Sequence, residues 1–112
     1  MIYVFLAQGF EEVEALAPID LLRRCEKEVI TVGVNDNIIV GSHNIPVVTD
    51  TVTQEVVLSD ELEMIVLPGG MPGTMTNVGR ALLNLMDKWI DAGTNDFDKI
   101  YMQSGFNLFN TI

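Results

Sequence analysis

A chain of 112 residues supports one small domain around a single core, with little surplus stability. Apolar residues make up 48% of it, enough to favour folding over disorder. Sixteen acidic residues against six basic ones give a net charge of −10, which argues against a nucleic-acid face or a surface for anionic membranes, both of which need clustered Lys and Arg.

In chain order, residues 2–7 read as a buried strand, apolar throughout as in parallel sheets. The strand starts almost at once, with no basic leader before it and an apolar run too short to span a membrane, so a cytoplasmic protein is expected. Gln8-Gly9 ends the strand and Phe10 to Glu14 begins a helical turn, continued by Ala15 to Lys27 with Val13, Leu16, Ile19 and Leu22 on one face. Pro18 would leave a hydrogen bond unmade deep in a helix, so Ala17-Pro18 is read as a fresh helix start. Residues 28–34 form a second strand. Short strands at 38–40 and 45–49 flank the polar loop Gly41-Ser42-His43-Asn44 as a hairpin. Residues 51–63 show no clear period beyond one helical turn near Glu61.

A strand at 64–67 stops at Pro68-Gly69-Gly70-Met71-Pro72-Gly73. Such a turn either punctuates the chain or presents backbone N–H groups to an anion. Leu82, Leu85, Met86, Trp89 and Ile90 then repeat at helical spacing from about residue 77 to a stop at Gly93. Residues 98–102 read as another strand, turning at Gln103-Ser104-Gly105. The sum is an α/β fold: a doubly wound, mostly parallel sheet with a small β-hairpin, whose ligands gather beyond the carboxyl ends of the strands. The turn after the first strand, the Pro-Gly-Gly turn and Gln103-Ser104-Gly105 all end there.

Four ordered stretches carry a family resemblance: Phe5 to Glu14, Pro18 to Arg24, Gly41 to Val47 and Leu67 to Gly73. They resemble the ThiJ/PfpI superfamily, a flavodoxin-like group related to class I glutamine amidotransferase domains, most closely its protein-deglycase-like branch. The resemblance covers residues 1 to about 75. It implies glyoxalase, deglycase or hydrolase action on small carbonyl or acyl compounds, with a cysteine nucleophile on a strand-to-helix elbow. It also implies Glu14 as the carboxyl beside that nucleophile and Gly69 and Gly70 as the anion-pocket glycines. A carboxyl close to a thiol shares a proton with it, and a helix N-terminus stabilises the thiolate.

After Thr74 the family pattern is lost, and the expected elbow reads Tyr101-Met102-Gln103-Ser104-Gly105, which leaves Ser104 in the nucleophile slot by strand-end position. Relative to the family, residues 1–112 read as a single, C-terminally incomplete domain. The alternatives are a non-catalytic binding or self-associating module, or a truncated, frameshifted or engineered derivative. Glu14 is alternatively an ordinary first-turn acid, and Ser104 a turn or capping residue that would need an activating base. Cys25 lies near a helix end, away from any elbow, and its being the only cysteine excludes an internal disulfide. His43 has no cysteine or second histidine beside it, and no metal or cofactor is expected. The expected partners are a small carbonyl or acyl substrate or anion and further copies of the chain. Neither nucleic acid nor membrane is among them.

Overall fold

Residues Ile2–Leu6 form β1, a strand whose every side chain is buried. Its alternate residues feed two separate cores, because successive strand side chains point to opposite faces. Tyr3, Phe5 and Ala7 pack with Val32, Ile65 and Leu67 on one face, and Ile2, Val4 and Leu6 with Val29 and Val66 on the other. The chain is seen here as a computed structural model that describes residues 1–57, 59–91 and 102–103.

The elements after β1 are α1 (Glu12–Arg24), β2 (Val29–Gly33), β3 (Ile38–Val40), β4 (Pro46–Val48), β5 (Thr51–Val52), β6 (Met64–Val66), α2 (Thr74–Asp91) and β7 (Met102–Gln103). The main sheet has the order β5-β2-β1-β6-β7 and every pairing in it is parallel. Ile2 faces Val29 on one side and Met64 on the other, so β1 is the central register strand. β3 and β4 form the antiparallel hairpin, with Asn44 at φ 62° in its loop. No helix among the described residues is long and apolar enough to cross a membrane.

The helices cover opposite faces of the sheet. α2 buries Val78, Leu82, Leu85 and Trp89 against the Tyr3–Phe5 face, four residues spaced at i, i+4, i+7 and i+11. α1 buries Ala15 and Ile19 against the Val4–Leu6 face, with Leu16 and Leu22 half-buried. Burying one such aliphatic side chain contributes roughly 1.5–3 kcal/mol, so the two stripes fix the layering.

The helix differs from its sequence reading in two respects. Pro18 does not start it: α1 begins at Glu12, and Glu11 caps it by accepting from the backbone N–H of Val13 and Glu14. The cap secures the first turn, and the helix runs on through Pro18 with the Glu14 carbonyl losing its ordinary i+4 donor. Nor is Val13 on the inner face, since it is 65% exposed. At 100° per residue the inner stripe runs Glu12, Ala15, Ile19, Leu22, so a carboxylate occupies the buried position that the sequence reading gave to valine. Within the stretch read as irregular, Thr51–Val52 adds a two-residue edge strand beside Val32 and Gly33. Residues 98–101 of the last predicted strand, Gly93, Ser104 and Gly105 lie outside the described residues.

Candidate functional site

The turn between β1 and α1 is gripped from two sides. On the first side, Glu11 N donates to Gly69 O at 2.8 Å and Met71 N donates to Gly9 O at 2.9 Å, an antiparallel clip that sets Phe10 opposite Gly70. Thr74 Oγ1 adds a third link, donating to Gln8 O at 2.9 Å. On the second side, Gly9 N donates to Val40 O and Ser42 N to Phe10 O, both at 2.8 Å, tying the turn to the hairpin. Gly9 sits at φ +85°, where a side chain would be strained and a Cβ would lie 2.9 Å from Thr74 Oγ1.

This double grip fixes the start of α1 and with it Glu14, which is half-buried in the first helical turn. Gly69 is buried and Gly70 exposed, at the carboxyl end of β6. The clip thus brings three of the predicted site residues, Glu14, Gly69 and Gly70, onto two adjoining turns at the carboxyl ends of neighbouring parallel strands. The fourth, Ser104, is outside the described residues. Gly70 has a second role that its sequence does not announce: a Cβ there would stand 2.4 Å from Gly9 O and 2.9 Å from Phe10 Cα, so only glycine lets the two turns close.

The buried carboxylate is Glu12, 5% exposed. It reaches into the hairpin loop, accepting from His43 N at 2.8 Å, from Ile45 N at 3.4 Å and from Ser42 Oγ at 3.3 Å, with His43 Nδ1 3.0 Å away. Gly41 makes room for it, since a Cβ at that position would lie 2.4 Å from the carboxylate. Burial raises the Glu12 pKa, but the hydrogen bonds from the His43 ring, from backbone N–H groups of His43 and Glu12 itself, and from Ile45 outweigh burial and bring it to about 2. The His43 imidazole is raised in turn, first by its hydrogen bond to Glu12 and then by the charges of Glu12 and Glu11.

Ser42, His43 and Glu12 do not make a nucleophilic relay. Ser42 Oγ (3.1 Å) and Glu12 Oε1 (3.0 Å) both approach the same ring nitrogen, Nδ1, so the ring cannot pass a proton from one to the other. Glu11, Glu12 and His43 also bring three potential metal-ligand atoms within 4.8 Å of one another. Hydrogen bonds account for that cluster: Glu11 caps α1 and Glu12 holds the hairpin backbone. Sequence reasoning missed Glu12, and the stripe of positions 12, 15, 19 and 22 is the signal that exposes it.

Cys25, the C-cap residue of α1, is exposed, at the far end of the helix from Glu14. Eleven residues at 1.5 Å each separate the two by about 16 Å.

The model of the DJ-1/PfpI family matches residues 1–95. Protein DJ-1 homolog A of Arabidopsis thaliana is 33% identical over 93 residues, covering 81% of this chain and 24% of the relative. Protein dj-1beta of Drosophila melanogaster is 38% identical over 72 residues, 63% of this chain and 38% of its own. The crystal structure of Drosophila melanogaster DJ-1beta superposes with a TM-score of 0.67 at 28% identity, over 90% of this chain and 53% of that one. A DJ-1 superfamily protein from Salmonella typhimurium gives 0.66 at 31% identity, with the same coverage. The chain therefore spans about half the length of these solved relatives and less of the curated ones. With its parallel sheet, its two opposed helices and a family match that runs through both gripped turns, the chain belongs to the DJ-1/PfpI family.

Proposed function

We propose that the chain carries the Glu14 and Gly69-Gly70 side of a DJ-1/PfpI pocket for small carbonyl or acyl compounds. Glu14 is the proton-handling carboxyl and the glycine turn faces the anionic oxygen. The Phe10–Gly70 clip carries this reading, because it joins the acid-bearing helix start to the glycine turn at adjacent strand ends. The chemistry expected of such a pocket is that of a glyoxalase, deglycase or hydrolase, with Ser104 as the occupant of the nucleophile slot. Methylglyoxal turnover tests it: Glu14→Gln should lower the rate by roughly 10²-fold or more, the usual loss when a general acid or base is removed. Ser104→Ala should do the same if that hydroxyl attacks the carbonyl. Wild-type turnover no faster than buffer would remove the catalytic reading.

A second reading, a binding site without turnover, draws support from Cys25. The one thiol of the chain lies about 16 Å from Glu14 along α1, too far to form the thiol–carboxyl pair of a cysteine enzyme. In either case we read the protein as cytoplasmic and self-associating. Val13 at 65%, Leu21 at 61% and Val48 at 71% leave large apolar side chains exposed. Multi-angle light scattering should report a dimer or larger species, and a monomer across the micromolar range would count against association.

A further inference from the structure

The lysines, arginines and amino terminus among the described residues divide into two groups. Arg23 pairs with Asp50, Arg24 with Asp20, and Lys27 and the amino terminus with Glu63, all at 3.0–3.1 Å. Arg80 and Lys88 make no ion pair among the described residues, and both line one cavity of about 590 Å³. That volume is in the range of small-molecule sites.

The cavity wall on α2 is a single stripe. Asn77, Arg80, Asn84 and Lys88 recur every three or four residues and so share one helix face, with Arg80 and Lys88 about 12 Å apart along the axis. The opposite wall comes from the turns that follow β2 and β5 and brings Asp36 and Gln54. Asp36 Oδ1 already accepts from Ile38 N at 3.1 Å, which fixes that carboxylate in the wall. Ala7, Val34 and Leu85 supply an apolar floor. Two cations face one carboxylate, so the cavity is locally positive within a molecule of net charge −10.

We infer that this groove is a binding site for a short organic acid whose carboxylate meets Arg80 or Lys88, at either end of the α2 stripe, and whose far end carries hydroxyl donors for Asp36 and Gln54. The two cations lie on one helix face with no ion-pair partner among the described residues, which leaves them open to a ligand carboxylate. The amides of Asn77 and Asn84 between them donate and accept along a polar chain. A negative molecule repels anions at long range, so carboxylate affinity here reports the local excess of two cations over one carboxylate in the cavity wall. Glu14 does not line this groove, which adjoins the β1–α1 turn only through Ala7 and Gln8: α2 packs on the Tyr3–Phe5 face of the sheet and α1 on the other.

Calorimetric titration at low ionic strength with gluconate, a linear polyhydroxy acid, tests this. Saturable binding is expected, weakened about tenfold or more by Arg80→Gln with Lys88→Gln, a loss of about 1.4 kcal/mol or more. Hexanoate, which keeps the carboxylate and lacks the hydroxyls, should bind about tenfold more weakly than gluconate. Glu14→Gln should leave gluconate binding unchanged, which separates this site from the proposed pocket. Both basic side chains are exposed and make no ion pair among the described residues, so the double variant should keep the wild-type melting temperature and circular dichroism spectrum. No saturable binding in the millimolar range, binding indifferent to the double substitution, or equal affinity for hexanoate would each overturn the assignment.

Discussion

Gly70→Ala should destabilise the protein by about 1–3 kcal/mol, the usual cost of forcing an extra methyl group into a site with no room for it. The three atoms nearest its Cβ, Gly9 O at 2.4 Å, Phe10 Cα at 2.9 Å and the Gly9 carbonyl carbon at 3.1 Å, all belong to backbone and cannot swing aside. Relief requires the two turns to separate, and the bonds Glu11 N to Gly69 O and Met71 N to Gly9 O lengthen or break as they do. The variant should therefore lose whatever turnover or binding the proposed Glu14 pocket supports beyond what its lower stability explains. Urea unfolding measures the first effect as a lower midpoint at unchanged slope. Gly79→Ala is the control: its Cβ meets nothing within 4 Å inside α2, so replacing this helical glycine should stabilise the chain by about 0.5–1 kcal/mol. A Gly70→Ala protein as stable as wild type would mean that the clip does not hold the turns together.

This glycine shows where sequence reasoning stops. Pro68-Gly69-Gly70 at a strand end is readable as a turn, because proline and glycine act on local backbone geometry. That Gly70 must lack a side chain depends on a contact with Gly9, sixty-one positions away, and only the assembled sheet creates that contact. The same division runs through the rest of the chain. The apolar periods of β1 and α2 reveal a doubly wound α/β fold, since burial on one or both faces writes itself into residue order. Thr51–Val52 is invisible because two residues cannot display a period. Glu12 was passed over for a different reason. In an acidic first helical turn the three glutamates have the same composition signal, and only their angular positions separate the cap (Glu11), the buried clasp (Glu12) and the half-buried acid (Glu14).

That clasp should make stability depend on pH in a way that single substitutions can dissect. The Glu12 carboxyl is lowered from 4.5 to about 2, so its contribution is fully present above pH 4.5 and is lost as pH falls toward 2. The His43 imidazole is raised above 6.5, so its contribution is complete below pH 6.5 and is lost as pH rises through the raised value. The two limbs leave a maximum between about pH 4.5 and 6.5. Glu12→Gln keeps an oxygen acceptor but removes the charge, and should lower the melting temperature by roughly 5–10 °C at pH 6, given the per-residue unfolding entropy of a small domain. His43→Ala leaves the backbone N–H of residue 43 bonded to Glu12, and its 71% exposed ring supports a smaller loss of roughly 2–4 °C at pH 6. Asp50 and Glu63, also lowered, contribute to the acid limb of every variant, and the global negative charge weakens every variant as pH rises. The informative quantity is therefore the difference from wild type. For His43→Ala it should shrink as pH rises through the raised imidazole value; for Glu12→Gln it should shrink at both extremes. Melting curves that stay parallel to wild type from pH 3 to 9, within the usual ~1 °C precision, would show that the hairpin is held by its backbone bonds alone and that the carboxylate–imidazole pair adds nothing.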